Sequence, residues 1–134
     1  MMQHDHNDTE DLYREIILDH NRHPRNVGRL DDATVRRRDM NTSCGDDVEM
    51  SVLADADGRI VKALFAGDGC AISKAVASML TDAIVGRTLA EVERMGADDI
   101  FALVGTTLAG SRLTCALLPL KTLQKGILEE RTNV

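Results

Sequence analysis

Apolar residues recur along this chain with two different periods, and the change between them divides it into segments. Leu12, Ile16 and Ile17, with Tyr13 beside them, have the spacing of a stripe on one helix face. Asp8 or Thr9 is a suitable N-cap, followed by acids in the first turn. Pro24 stops the helix, because the residue before a proline is biased out of the helical region. A helix is therefore predicted from near Thr9 to just before Pro24. Pro24-Arg25-Asn26-Val27-Gly28 then reads as a turn or extended connection.

The period next falls to two. Val48, Met50 and Val52 alternate with Asp47, Glu49 and Ser51, the pattern of a half-buried strand. Ala54-Asp55-Ala56-Asp57-Gly58 has the composition of a hairpin turn closed by glycine. Ile60 to Phe65 makes the return strand, and Thr34 to Met40 a strand before the pair. The economical topology is a three-stranded antiparallel meander.

Helical spacing resumes after Gly67-Asp68-Gly69. Cys70 opens a helix whose apolar face is Ile72, Val76, Met79, Leu80 and Ala83, with Gly86 as a C-cap. Thr88-Leu89-Ala90-Glu91 fits a capping box for a short helix. Asp98 and Asp99 start another near Ile100, and Gly105 to Ser111 reads as loop. A last helix is predicted from about Cys115 to Lys125, with Gly126 near its end. Pro119 is compatible with that helix only near its start. The expected organisation is a disordered tail over residues 1–8, one domain over 9–128 and a C-terminal tail over 129–134.

Composition narrows the function classes. At 134 residues one domain can bury a core without disulfides. Only Tyr13, Phe65 and Phe101 are aromatic, so the core must be aliphatic, with some of the six methionines filling irregular gaps. A net charge of −6 argues against binding nucleic acid by phosphate neutralisation, and scarce aromatics argue against base stacking. The basic run Arg36-Arg37-Arg38 lies among Asp31, Asp32 and Asp39. It reads as a solvated strand face, or as a docking patch for an acidic partner. The first ten residues are polar and acidic, without an apolar leader, and no apolar stretch has the length of a membrane span. The expectation is a cytoplasmic protein.

In that setting three cysteines are reduced thiols, and an odd count excludes a closed disulfide set. Each sits at an element boundary: Cys44 in a loop before a strand, Cys70 and Cys115 at predicted helix starts. A helix N-terminus favours thiolate over thiol. Glycines beside Cys44 and Cys70 let backbone approach an ion closely. Asp46, two residues after Cys44, would add an oxygen ligand, and three thiolates with one carboxylate suffice for tetrahedral zinc. There is no C-x-x-C pair, and the separations are 26 and 45 residues. Spacing alone leaves metal binding, plain burial and a nucleophilic thiol open. A Cys–His pair is poorly supported, since every histidine lies at or before His23, and His20 and His23 flank a helix end where exposure is the default.

Several linked motifs go further. Leu12-Tyr13-Arg14, Ile17, Asp19-His20 and Pro24-Arg25-Asn26-Val27-Gly28 precede Cys44-Gly45-Asp46. Gly67-Asp68-Gly69-Cys70-Ala71-Ile72-Ser73 and Arg112-Leu113-Thr114-Cys115-Ala116-Leu117-Leu118 follow. Over about residues 11–128 the chain resembles the U-type iron–sulfur cluster assembly proteins, the IscU/SufU/NifU N-domain family. It looks closest to the SufU branch: Thr114 stands where IscU-type scaffolds carry histidine, and Arg112 where SufU-type proteins carry arginine. The 45 residues from Cys70 to Cys115 depart from that branch, being closer to the IscU length.

The resemblance implies a compact α+β fold, a small three-stranded antiparallel sheet packed against about five helices. It implies zinc held by Cys44, Asp46, Cys70 and Cys115; iron or a transient iron–sulfur cluster is the alternative cofactor. It implies a sulfur carrier and desulfurase activator rather than a stand-alone enzyme, with a PLP-dependent, SufS-like cysteine desulfurase and a SufBCD-type scaffold as partners. Cys44 would be the sulfur acceptor, displaced from the zinc by a desulfurase histidine, and Arg112 would support the transfer. The alternative is an IscU-type scaffold on which a cluster is built.

Overall fold

The computed structural model describes residues 3–42 and 45–132. In chain order the elements are α1 (Gln3–Arg22), β1 (Val35–Asn41), β2 (Asp46–Ala54), β3 (Ile60–Ala66), α2 (Ala71–Ile84), α3 (Leu89–Glu93), α4 (Ala97–Val104) and α5 (Gly110–Thr132). The strands form one antiparallel sheet in the order β1-β2-β3, the meander that the period-two pattern predicts. No helix of the described residues is long and apolar enough to cross a membrane.

Strand register determines which side chains face the helices. Val35 pairs with Val52, and Arg37 with Met50. Met50 also pairs with Phe65, and Val52 with Ala63. Paired residues point to the same face, and Val48, Met50 and Val52 are buried there. The same column continues to Asp46, opposite Asn41. A carboxylate thus enters the helix-covered layer at the end of an otherwise apolar row. The core is aliphatic as expected, with Leu80, Ile84, Ile100, Leu120 and Leu123 among its fully buried members.

The parity of β1 splits the basic run. Arg37 lies on the inner face, where it pairs with Asp39 on its own strand and with Glu129 of α5. Arg38 pairs with Asp47 on the outer face, and Arg36 donates to the Leu30 carbonyl. Each of the three cations has its own intramolecular partners.

Helix boundaries depart from expectation at both ends of the chain. Helix α1 begins at Gln3, six residues before Thr9. No glycine or proline interrupts residues 3–22, and once a helix is nucleated each added residue gains a hydrogen bond. Helix α5 runs from Gly110 to Thr132 rather than from Cys115 to Lys125. Pro119 therefore lies in its interior and Gly126 is well before its end. An interior proline removes one rung and costs about 3 kcal/mol. Burial of Ala116, Pro119, Leu120, Leu123 and Ile127 along the same helix outweighs that cost at roughly 1.5–3 kcal/mol per large side chain.

Gly126 has a packing role. A Cβ there would lie 2.8 Å from Val35 Cγ1 and 3.2 Å from Arg37 Cβ, so the glycine lets α5 rest directly on β1. Gly126→Leu is expected to destabilise the protein by about 2–3 kcal/mol through overpacking, read as a lower urea midpoint. A midpoint at or above wild type would show that the helix–strand contact can widen freely.

Candidate metal centre

Three elements converge at the site, each for a local reason. Asp46 opens β2 on its buried face and is 0% exposed. Cys70 is the N-cap of α2, in extended conformation, as the helix-start reading predicts. Cys115 is buried in the second turn of α5, not at the helix start, because α5 begins five residues earlier than expected. Its thiolate preference therefore owes less to the helix terminus than the sequence suggests.

The loop between β3 and α2 is drawn tightly over β2. Gly67 has φ +122°, and a Cβ there would lie 2.3 Å from the Asp47 carbonyl oxygen. Only glycine accommodates both the positive φ and this contact with backbone. The close crossing brings the Cys70 N–H to Asp46, whose Oδ1 accepts it at 2.7 Å. The Cys70 sulfur in turn accepts from the Ser73 N–H at 3.5 Å.

One ligand atom each from Asp46, Cys70 and Cys115 lie within 4.8 Å of one another. Cys44, the fourth residue singled out from the sequence, lies outside the described residues. Asp46 Oδ2 is buried and has no hydrogen-bond partner among the described residues. A buried carboxylate oxygen without a donor is unfavourable, and a cation beside it would relieve the cost. In tetrahedral zinc sites, ligand atoms sit about 3.3–3.8 Å apart, so the three donors need only small shifts to share one ion. Two thiols and a carboxylate suit zinc or iron and are poor ligands for hard cations such as magnesium.

Arg112 is exposed and forms no ion pair among the described residues. It precedes Cys115 by three residues on α5, a spacing that puts both on neighbouring positions of one helix face. Thr114 is also exposed and donates back to the Gly110 carbonyl.

The same residues lie within a recognisable sequence family: the NifU-like N terminal domain matches residues 12–133. The chain belongs to that family. Among the relatives of this NifU-like domain is a protein of Bacillus subtilis (strain 168) named zinc-dependent sulfurtransferase SufU. The two are 38% identical, over 89% of this chain and 91% of the relative. A protein of Thermotoga maritima named iron–sulfur cluster assembly scaffold protein IscU is 33% identical, over 87% of this chain and 92% of the relative. A solved structure of the putative SUF-system scaffold protein FiSufU from Fervidobacterium islandicum AW-1 superposes with a TM-score of 0.75. It is 28% identical and covers 87% of this chain and 96% of that one. The α+β architecture of this NifU-like domain is thus that of its structural neighbours.

Two features of the domain escaped sequence reasoning. His20, expected at an exposed helix end, is half-buried with Nδ1 2.7 Å from Ser78 Oγ. That hydroxyl also accepts from the Arg25 N–H and ties the connection after α1 to α2. Burial, followed by the nearby Arg25 charge, pushes the His20 pKa down. The second is Ser73, whose contact with Cys70 no period or propensity points to. Its position three residues after an N-cap cysteine was the available signal, since an N-cap side chain bonds the N–H of the second or third helical residue.

Proposed function

We propose that this NifU-like domain is a zinc-dependent sulfur acceptor of iron–sulfur cluster assembly. It takes sulfur from a PLP-dependent cysteine desulfurase of the SufS type and relays it to a SufBCD-type scaffold. The observation that carries the reading is the cluster of buried Asp46, half-buried Cys70 and buried Cys115, with one carboxylate oxygen that has no donor among the described residues. Cys44, two residues before Asp46, completes a set of three thiolates and one carboxylate. Bound zinc would keep those thiols deprotonated at neutral pH and shield them from oxidation.

The three described donors are held by β2, α2 and α5, whereas Cys44 belongs to the segment joining β1 to β2. We assign the reacting thiolate to Cys44. It attacks the terminal sulfur of the desulfurase persulfide. A new S–S bond forms at Cys44, the old S–S bond breaks, and its electron pair leaves with the desulfurase cysteine as thiolate. No net oxidation or reduction occurs. Arg112, exposed and unpaired among the described residues, supplies positive charge beside a site whose ligands are all anionic, and so favours approach of the anionic persulfide.

The Thermotoga relative named as a scaffold favours a second reading, in which the same donors hold a nascent cluster. Anaerobic purification with metal analysis, followed by mass spectrometry after incubation with a desulfurase and cysteine, separates the two. One zinc per chain and a gain of one sulfur on Cys44, lost in Cys44→Ser, supports the acceptor. A reconstituted cluster passed rapidly to an apo-protein, with no sulfur on Cys44, would overturn it.

A further inference from the structure

Ser73 is 1% exposed, and its N–H and hydroxyl both form hydrogen bonds with one residue, Cys70. Its N–H donates to Cys70 Sγ at 3.5 Å. Its hydroxyl donates to the Cys70 carbonyl at 3.3 Å and accepts from the Cys70 thiol at 3.7 Å. Once Cys70 is deprotonated, the hydroxyl proton can point to either the carbonyl or the sulfur. A second observation concerns the residue just before Cys70. A Cβ at Gly69 would lie 2.3 Å from Ser73 Oγ and 3.5 Å from Ser73 Cβ. Gly69 is not one of the glycines with positive φ, so its backbone conformation is open to any residue. What excludes a side chain there is the space that the Ser73 hydroxyl occupies.

We infer that Ser73 is the positioning residue of Cys70, orienting its sulfur towards the metal through two donors from the first turn of α2. As a metal ligand Cys70 is a thiolate with no proton to give. The Ser73 hydroxyl then turns from the carbonyl to the sulfur, because a charged acceptor makes the stronger bond. With the Asp46 carboxylate on the Cys70 N–H, the residue is held at both its backbone and its sulfur. Hydrogen bonds to a metal ligand of this kind typically carry about 10–100-fold in metal affinity. They also draw electron density from the thiolate, making Cys70 less nucleophilic than it would be without those donors. This inference rests on the reading of Cys70 as a metal ligand.

The test is metal binding by Ser73→Ala, with zinc affinity measured in competition with a chromophoric chelator and the site probed by cobalt(II). The expected result is zinc binding about 10–100-fold weaker, with a shifted sulfur-to-cobalt charge-transfer band. Ser78→Ala removes an equally buried hydroxyl of the same helix that is bonded elsewhere, and should leave the band in place. Gly69→Ala keeps the hydroxyl but pushes it aside, and is expected to shift the band like Ser73→Ala even if that variant fails to fold. Wild-type affinity and an unchanged band in either site variant overturn the role of Ser73 while leaving the metal site intact. Failure of the wild-type protein to bind zinc or cobalt overturns both.

Discussion

Asp46→Ala is expected to abolish tight zinc binding and to cost stability only in the presence of metal. In the metal-free protein two effects oppose each other. The Cys70 N–H loses its acceptor, at about 1–3 kcal/mol for a buried unmade bond. Against that, the variant no longer buries a carboxylate whose Oδ2 has no donor, and release from that burden is of similar size. With a chelator present, the two proteins should unfold within about 2 kcal/mol of each other. Zinc changes the comparison, because an ion that binds only the folded state adds RT ln(1 + [L]/Kd). At zinc 1,000-fold above the wild-type Kd the gain is about 4 kcal/mol, and Asp46→Ala should miss most of it. Asp46→Asn retains an acceptor for the Cys70 N–H but not the charge, and should fall between them. Equal zinc stabilisation of all three proteins would remove Asp46 from the ligand set.

The second large effect is expected at Gly67, where backbone alone meets backbone. Gly67→Ala places a methyl 2.3 Å from the Asp47 carbonyl oxygen and 3.1 Å from Val48 Cα. Neither atom belongs to a side chain that can rotate away. Strand β2 is paired on both sides, so it cannot yield without disturbing the sheet. A positive φ in a non-glycine residue costs of order 1–3 kcal/mol, and forced displacement of packed structure about as much again. The sum, about 2–6 kcal/mol, is a large part of the 5–15 kcal/mol typical of a domain. Gly58→Ala is the matching control, with φ +79° and nothing within 4 Å of its Cβ. It should lose only the strain. Equal losses in urea denaturation would show that the close crossing contributes nothing. Surviving Gly67→Ala protein should also bind zinc more weakly, because the crossing sets Cys70 against Asp46.

Local features translated directly into structure. The alternation of Val48, Met50 and Val52 became the buried face of β2. The Thr88–Glu91 pair became a complete capping box, Cys70 became an N-cap, and Asp99 reached back to the Gly96 N–H at the start of α4. Even the burial of Asp46 was legible, since carrying the period of two back from Val48 puts it on the inner face. Features that depend on distant partners were not. Pro119 suggested a late start for α5 because propensity is local, while the helix draws its stability from burial against β1 and α2. Arg37 read as part of a cationic run until Glu129, 92 residues away, took it inward.

The site divides in the same way. Residue types, their positions at element boundaries and the glycines beside them were determined by the sequence alone. They selected Cys44, Asp46, Cys70 and Cys115 as candidates, because thiolate chemistry and backbone conformation are properties of a residue and its immediate neighbours, although Cys115 proved to lie in the second turn of α5 rather than at its start. Convergence of Asp46, Cys70 and Cys115 within 4.8 Å was decided only in three dimensions. It depends on strand parity at Asp46, a loop crossing that only Gly67 permits, and a helix that runs through its own proline. The crossing and the long helix are settled by packing between segments far apart in the chain, where no local preference reaches.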